Sequence, residues 1–390
     1  MGPLDDLSRA LDEGVDARRD ALRELSLRIH AHPELRFEER RAAAWVSERL
    51  AAEGYAVEAP LGGLDTALRA RAGDGPVRVA FLAEYDALPE IGHACGHNLI
   101  AAGAVGAFLT LAPHAKRLGA TVELIGTPAE EGGGGKVILA ERGVFEGLDA
   151  AMMFHPFDRD LVAHPTLANL WIQMEFKGVP AHAAAAPWDG SSALTACMQT
   201  FSLIDSQRVH FRDGVRVHGY ITDGGQAVNI IPERASCEFS VRARTLPELA
   251  RVRAIVERCA RAAAMACDVA VTLTPRRGYK DMRNNLPLAR VFAEQLRALG
   301  RAPRDTDERV GTGSTDMGDV SHAVPAIHPW LAICDEGETL CHQHAFADAA
   351  RSDRGLDAML VAAKAMARTG AAVALDPGLR AELREAFAAS

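Results

Sequence analysis

Three short apolar runs, each closing on side chains able to ligate a metal, constrain this chain more than any other feature. VRVAFLAEYDALP (77–89) ends in acids and Pro89, TVELIGTP (121–128) leads into AEEGGGG, and LDAAMMFHP (148–156) ends at His155 and Pro156. Apolar runs of this length bounded by turn residues suit buried strands. The segment 98–112, rich in Ala, Gly and Leu, predicts a tightly packed helix, and 136–145 predicts a helix that stops near Gly143. Strands alternating with helices predict an open, mostly parallel α/β sheet flanked by helices. Ligands of such sheets gather beyond the carboxyl ends of the strands, where all three clusters fall.

With 390 residues the chain exceeds what one core usually serves, so two domains are expected. Amphipathic spacing over 4–53, broken at Pro33, predicts helices over 4–30 and 38–53. The texture changes near 169. Segments 169–178, 215–225, 235–245 and 269–275 read as strands, and 193–208 and 246–266 as helices. Strand, helix, strand, strand, helix, strand is the order of a ferredoxin-like α+β unit. Residues 169–277 are therefore expected to form an inserted domain, with 1–168 and 278–390 making the catalytic, metal-binding domain.

Net charge is −9 with no basic run, which argues against nucleic acid and anionic surfaces. The charged N-terminus lacks the apolar core of a secretory signal, and the apolar stretch Leu99 to Leu111 is short for a bilayer. A soluble, cytoplasmic protein is expected, with no membrane partner. Seven cysteines, at 95, 197, 237, 259, 267, 334 and 341, do not suggest a disulfide framework.

In HACGHN (93–98), a thiolate and an imidazole two residues apart can reach one divalent ion. A buried Cys beside a structural His is the plainer reading of that motif alone. In TPAEEGGGG (127–135) the glycines permit a tight turn, and adjacent carboxylates on an extended chain point apart. One can ligate a metal while its neighbour faces a bound water; a solvated pair in a mobile loop is the alternative. His155 taken alone is an ordinary turn histidine. Together these clusters supply Cys, His, Glu and His beyond three strands, and no P-loop, dinucleotide fingerprint or nucleophile elbow competes with them.

EYDALP, HACGHN, TPAEEGGGG, MMFHP, GVPAHAA, NIIPE and GSTDMGDVS stand in the order seen in the M20 metallopeptidase family. The chain resembles its aminoacylase/carboxypeptidase branch, and within that the group of M20 domain-containing protein 2-like dipeptidases and aminobenzoyl-glutamate hydrolases. The resemblance implies the phosphorylase/hydrolase-like metallopeptidase fold and two divalent ions per subunit, zinc or manganese before cobalt or nickel. It implies Cys95, His97, Glu131 and His155 as metal ligands, with His342 preferred to His344 in CHQHAF as the last one. Glu130 becomes the general base. His182 becomes a donor to the oxyanion, acting within its own chain or from a partner subunit. Asn229, Arg242, Gly313, Ser314 and Thr315 become substrate-binding residues. Arg suits a substrate carboxylate because its guanidinium binds it in a bidentate manner. Glu84, where more distant relatives carry a ligand His, and Asp86 become residues that orient ligands. Asn98 departs from the Asp more usual after the CGH triplet.

The implied activity is hydrolysis of the amide bond of a dipeptide or N-acyl amino acid with a free carboxylate. A homodimer through the inserted domain is implied as well. A non-catalytic metal-binding relative and an aminopeptidase-type activity are the alternatives.

Overall fold

In the computed structural model, which describes residues 3–390, the chain divides into two compact units. The first comprises residues up to Pro165, Met282–Gly311 and Asp316–Ser390; the second comprises Thr166–Asp281 and Thr312–Thr315.

The first unit is built on a six-stranded sheet. Its strands are β1 (Val57–Glu58), β2 (Leu68–Ala72), β3 (Val77–Ala83), β4 (Ala120–Gly126), β5 (Ala150–Met152) and a late strand, Ala326–Ile327. They lie in the order β1-β2-β4-β3-β5 and then Ala326–Ile327. β3 runs parallel to β4 and β5, and Ala326–Ile327 runs parallel to β5. β2 pairs antiparallel to β4, and β1 antiparallel to β2. The sheet is thus mostly parallel, as expected, with a short antiparallel edge that the apolar pattern did not reveal. LRARA alternates Arg with small residues, and two residues of β1 are too few for periodicity. β6 (His155–Phe157) leaves this sheet and pairs in parallel with Trp330–Ala332.

The helix His97–Leu111 runs directly from the HACGH motif, and every one of its residues is buried. Its small residues let neighbours approach: a Cβ on Gly103 would lie 2.5 Å from Phe154, and one on Gly106 would lie 2.8 Å from Leu22. The helix packs against Asp353–Leu375. Both regions are long and apolar enough to cross a membrane by composition, but 89% and 78% of their apolar windows are buried inside the protein. They are core helices. The helix expected over 4–30 is two, Pro3–Asp16 and Arg19–His30. Arg18, between them, spends its side chain on Glu53 and on the carbonyl of Gly14.

The second unit is a four-stranded antiparallel sheet. Its strands are β7 (Ala168–Lys177), β8 (Arg216–Asp223), β9 (Arg234–Ala243) and β10 (Ala270–Arg276), in the order β10-β7-β9-β8. Helices Ala193–Gln207 and Leu246–Ala266 contribute to the same apolar core as the strands. Each begins where a hydroxyl accepts a backbone N–H of the first turn, Ser192 from Thr195 and Thr245 from Glu248. Such caps stabilise a helix start by about 1 kcal/mol.

Candidate metal centre

The site lies where the strands of the first unit end. Beyond β3 come Glu84 and Asp86, both buried. Beyond β4 the chain makes an uncommon turn in which Ala129 takes φ +61°. A non-glycine residue there is strained, and the turn is held from outside. Buried Glu39 accepts the Ala129 N–H at 2.9 Å, the Phe37 N–H at 2.8 Å and the Thr66 hydroxyl at 2.8 Å. Glu130 and Glu131 follow. Gly134 at φ +68° then reverses the chain into the helix Gly135–Glu141.

The ligand atoms of Cys95, His97 and His155 lie within 4.8 Å of one another, as do those of Cys95, Glu131 and His342, and those of His97, Glu130 and Glu131. Cys95 Sγ stands 3.4 Å from His155 Nε2, and His342 Nε2 stands 3.3 Å from Glu131 Oε1. The structure therefore brings together Cys95, His97, Glu130, Glu131, His155 and His342. His344 opens the helix His344–Ala349 and belongs to none of these groups. His342, at φ +69°, is turned by a backbone N–H donated to the carbonyl of Ala94, which binds the C-terminal motif to the HACGHN loop.

The outer atoms orient the inner ones. His97 Nδ1 donates toward Asp86, 3.0 Å from Oδ1 and 2.9 Å from its carbonyl, which leaves Nε2 facing inward. Asp86 Oδ2 accepts the backbone N–H of Glu131 at 2.9 Å, so one carboxylate sets two of the grouped residues. His155 Nδ1 donates to the carbonyl of Pro156 at 2.7 Å, again freeing Nε2.

A cation fits this pocket. Glu84 Oε2, His97 Nε2 and Glu131 Oε1 are buried without a hydrogen-bond partner, an arrangement that is costly unless a positive charge satisfies it. Burial and the neighbouring His97 push His155 down to about 4, so its ring is neutral and able to ligate at neutral pH. Burial opposes a charge on His97, but Asp86 and Glu84 outweigh it and draw a proton to the ring, a place a metal ion can take. Burial and the charges of Glu131, Glu84 and Asp316 hold Glu130 well above the usual carboxylate range.

Asn98 is explained by packing. Its buried amide donates to Ser26 Oγ at 2.9 Å and to the carbonyl of Ala350 at 3.0 Å, joining the helix His97–Leu111 to the helix Arg19–His30 and to the residue that follows His344–Ala349. An Asp there would set a carboxylate against a carbonyl. Asn98→Asp is expected to cost about 1–3 kcal/mol or more, read as a lower melting temperature of the metal-free protein; an unchanged value would contradict this account.

Several residues around the centre stand outside every motif of the sequence. Lys136, wholly buried, donates to Glu84 and to Asp316. Its lone charge beside Val137, Ile138 and Leu139 was the available clue. His328 is buried with its ring centroid 5.3 Å from that of His155 and both ring nitrogens unpartnered. Glu39 lies ninety residues from the turn it holds.

The remaining expected residues belong to the second unit. His182 is exposed, bridges to Ile230, and its Nδ1 accepts the N–H groups of Ala184 and Ala185, so Nε2 carries the proton. Asn229 is exposed next to it, its carbonyl accepting the Ala183 N–H at 3.0 Å. Arg242, on β9, pairs with Asn169 of β7 and Arg216 of β8. At the same sheet end the Gly313 carbonyl accepts the Leu167 N–H at 2.8 Å. Thr315 is buried beside Ser314. Arg242 Nε and Ser314 Oγ are buried without hydrogen-bond partners.

Comparison with known proteins agrees with the motif reading. The chain is 37% identical to the Xaa-Arg dipeptidase of Mus musculus over 98% of its own length and 93% of the relative's. It is 29% identical to a p-aminobenzoyl-glutamate hydrolase polypeptide of Escherichia coli, over 98% and 95%. Its fold matches a crystal structure of a dinuclear metal binding peptidase from Bacillus subtilis with a TM-score of 0.73 at 21% identity, covering 92% of this chain and 99% of that one. The sequence model of peptidase family M20/M25/M40 matches residues 80–370. With the motifs, the fold and this match in agreement, the chain belongs to peptidase family M20/M25/M40.

Proposed function

We propose that this metallo-amidohydrolase cleaves a dipeptide or N-acyl amino acid that carries a free carboxylate, with Glu130 moving the proton. The observation that carries the reading is the largely buried cluster in which Cys95, His97, Glu131, His155 and His342 meet, with a further carboxylate, Glu130, among them. Cys95, His97, Glu131, His155 and His342 would hold two divalent cations, which supply Lewis acidity to water and to the scissile carbonyl. Zinc or manganese suits this donor set best, with cobalt or nickel as substitutes. Glu130 takes a proton from the attacking water and hands it to the leaving amine. Its raised proton affinity suits a group that must hold that proton between the two transfers. Asp86 keeps His97 and the Glu131 backbone in register, and Glu84 flanks them.

On the substrate side, His182 Nε2–H is a donor for the developing oxyanion. Arg242 is assigned to the substrate carboxylate with Asn229, and Gly313, Ser314 and Thr315 to the lining of its pocket. The unpartnered Arg242 Nε and Ser314 Oγ favour this, because a bound polar ligand would satisfy both. An arginine for a carboxylate also favours this reading over an aminopeptidase, which needs an acid for a free amine. A homodimer through the second unit fits β8, an edge strand with Tyr220 and Ile221 exposed. Seven free cysteines, one of them a ligand, suit the reducing cytoplasm.

The test is metal removal and readdition. Chelated protein should lose turnover, and zinc or manganese should restore it on a panel of dipeptides (some ending in Arg), p-aminobenzoyl-glutamate and N-acyl amino acids. No turnover on any member under either metal would favour the non-catalytic relative; a demand for a free amine would favour the aminopeptidase.

A further inference from the structure

We propose that Glu84 is an additional carboxylate ligand of the metal centre, aimed there by Lys136 and Asp316 as positioning residues. The inference rests on the metal-centre reading above and adds a residue to it.

Glu84, Lys136 and Asp316 are all wholly buried. Lys136 Nζ is bound by Glu84 Oε1 and lies 2.9 Å from Asp316 Oδ1. Asp316 Oδ2 accepts the backbone N–H of Lys136 at 2.9 Å, so this carboxylate grips the lysine at both ends. One ammonium thereby joins the end of β3, the helix that follows the glycine loop, and the start of the helix Met317–Ser321. Two buried carboxylates share one buried ammonium, so the second oxygen of Glu84 is left for another cationic partner. A buried charge of that kind is costly unless a cation compensates it.

The free lobe is Glu84 Oε2. It has no hydrogen-bond partner and stands 3.4 Å from His97 Nε2, which also has none. Because His97 Nδ1 is committed to Asp86, Nε2 is the ring atom that faces Glu84. Two ligand atoms ~2.1 Å from one ion in tetrahedral array stand roughly 3.4 Å apart. The separation is that of neighbours on a common cation. Lys136 occupies Oε1 and thereby leaves Oε2 as the oxygen that turns inward.

The experiment is a titration of metal-stripped full-length protein with zinc and with manganese against a chromophoric chelator. Metal-to-protein ratios after gel filtration and melting temperatures of the metal-free forms accompany it. Glu84→Gln keeps shape and an acceptor for Lys136 but loses the charge. It is expected to weaken one cation at least tenfold while the metal-free melting temperature holds. Lys136→Met should weaken the same cation, and the double variant should be no worse than Glu84→Gln alone. Should Glu84→Gln fail to fold, Asp316→Asn carries the test, with the same cation weakened several-fold. Cation affinities within about twofold of wild type in Glu84→Gln overturn the inference and make Glu84 a plain ion-pair partner of Lys136 and His97. Wild-type protein that takes up no cation overturns the metal-centre reading along with it.

Discussion

Glu130→Gln should leave the cations bound and lower kcat by about 10²–10⁴-fold. Glutamine fills the same volume and cannot accept the proton of an attacking water. The wild-type carboxylate sits in a buried pocket among Glu131, Glu84 and Asp316, which hold its proton affinity well above the ordinary range. Only the proton-transfer capacity is removed. The measurement pairs kcat on the best substrate of the panel with metal content of the same sample, because Glu130 also groups geometrically with His97 and Glu131. Loss of a cation along with activity would make Glu130 a ligand instead of the base. Activity within tenfold of wild type at full metal loading would remove Glu130 from the chemistry. Glu131→Gln gives the contrast: it removes a charge from a carboxylate grouped with both Cys95 and His97, and its expected defect is in metal content first.

The parts of this site that could be read in the sequence are those whose chemistry is local. Cys95 and His97 are two residues apart, Glu130 and Glu131 are adjacent, and each pair follows an apolar run whose burial the residue pattern reveals. His155 gained meaning only from the company of the others. The choice between His342 and His344 turned on spacing, whereas the geometry turns on a left-handed residue at 342, and no propensity announces a histidine at positive φ. What could not be read is long-range. Lys136 meets Glu84 across 52 positions and Asp316 across 180. Glu39 supports a turn ninety residues away. Such pairs exist because a folded sheet gathers its loops at one end, and a single sequence records the loops but not which of them touch. The short antiparallel edge strands escaped for a different reason: too few residues carry their period.

Gly135→Ala should abolish cation binding and activity together and destabilise the protein, although one methyl group is added at a residue with no ligand of its own. A Cβ at this position would lie 1.8 Å from the Pro128 carbonyl oxygen and 2.9 Å from its carbonyl carbon. Neither is the end of a flexible side chain, so the backbone must part. Pro128 stands two residues before Glu130, on the turn held by Glu39, and Gly135 stands one residue before Lys136. Opening that contact moves both carboxylates and the lysine at once. Overpacking of this kind costs typically 1–3 kcal/mol, occasionally more, and a 1 Å displacement of catalytic groups can cost about 10² in rate by itself. The control is Gly311→Ala, where an added Cβ meets nothing within 4 Å and φ is not left-handed. That variant should keep wild-type melting temperature and metal content. If Gly135→Ala instead bound both cations with wild-type affinity, the tight approach between Pro128 and Gly135 would not be what shapes the loop, and the placement of Glu130 and Glu131 would have to come from Glu39 and Asp86 alone.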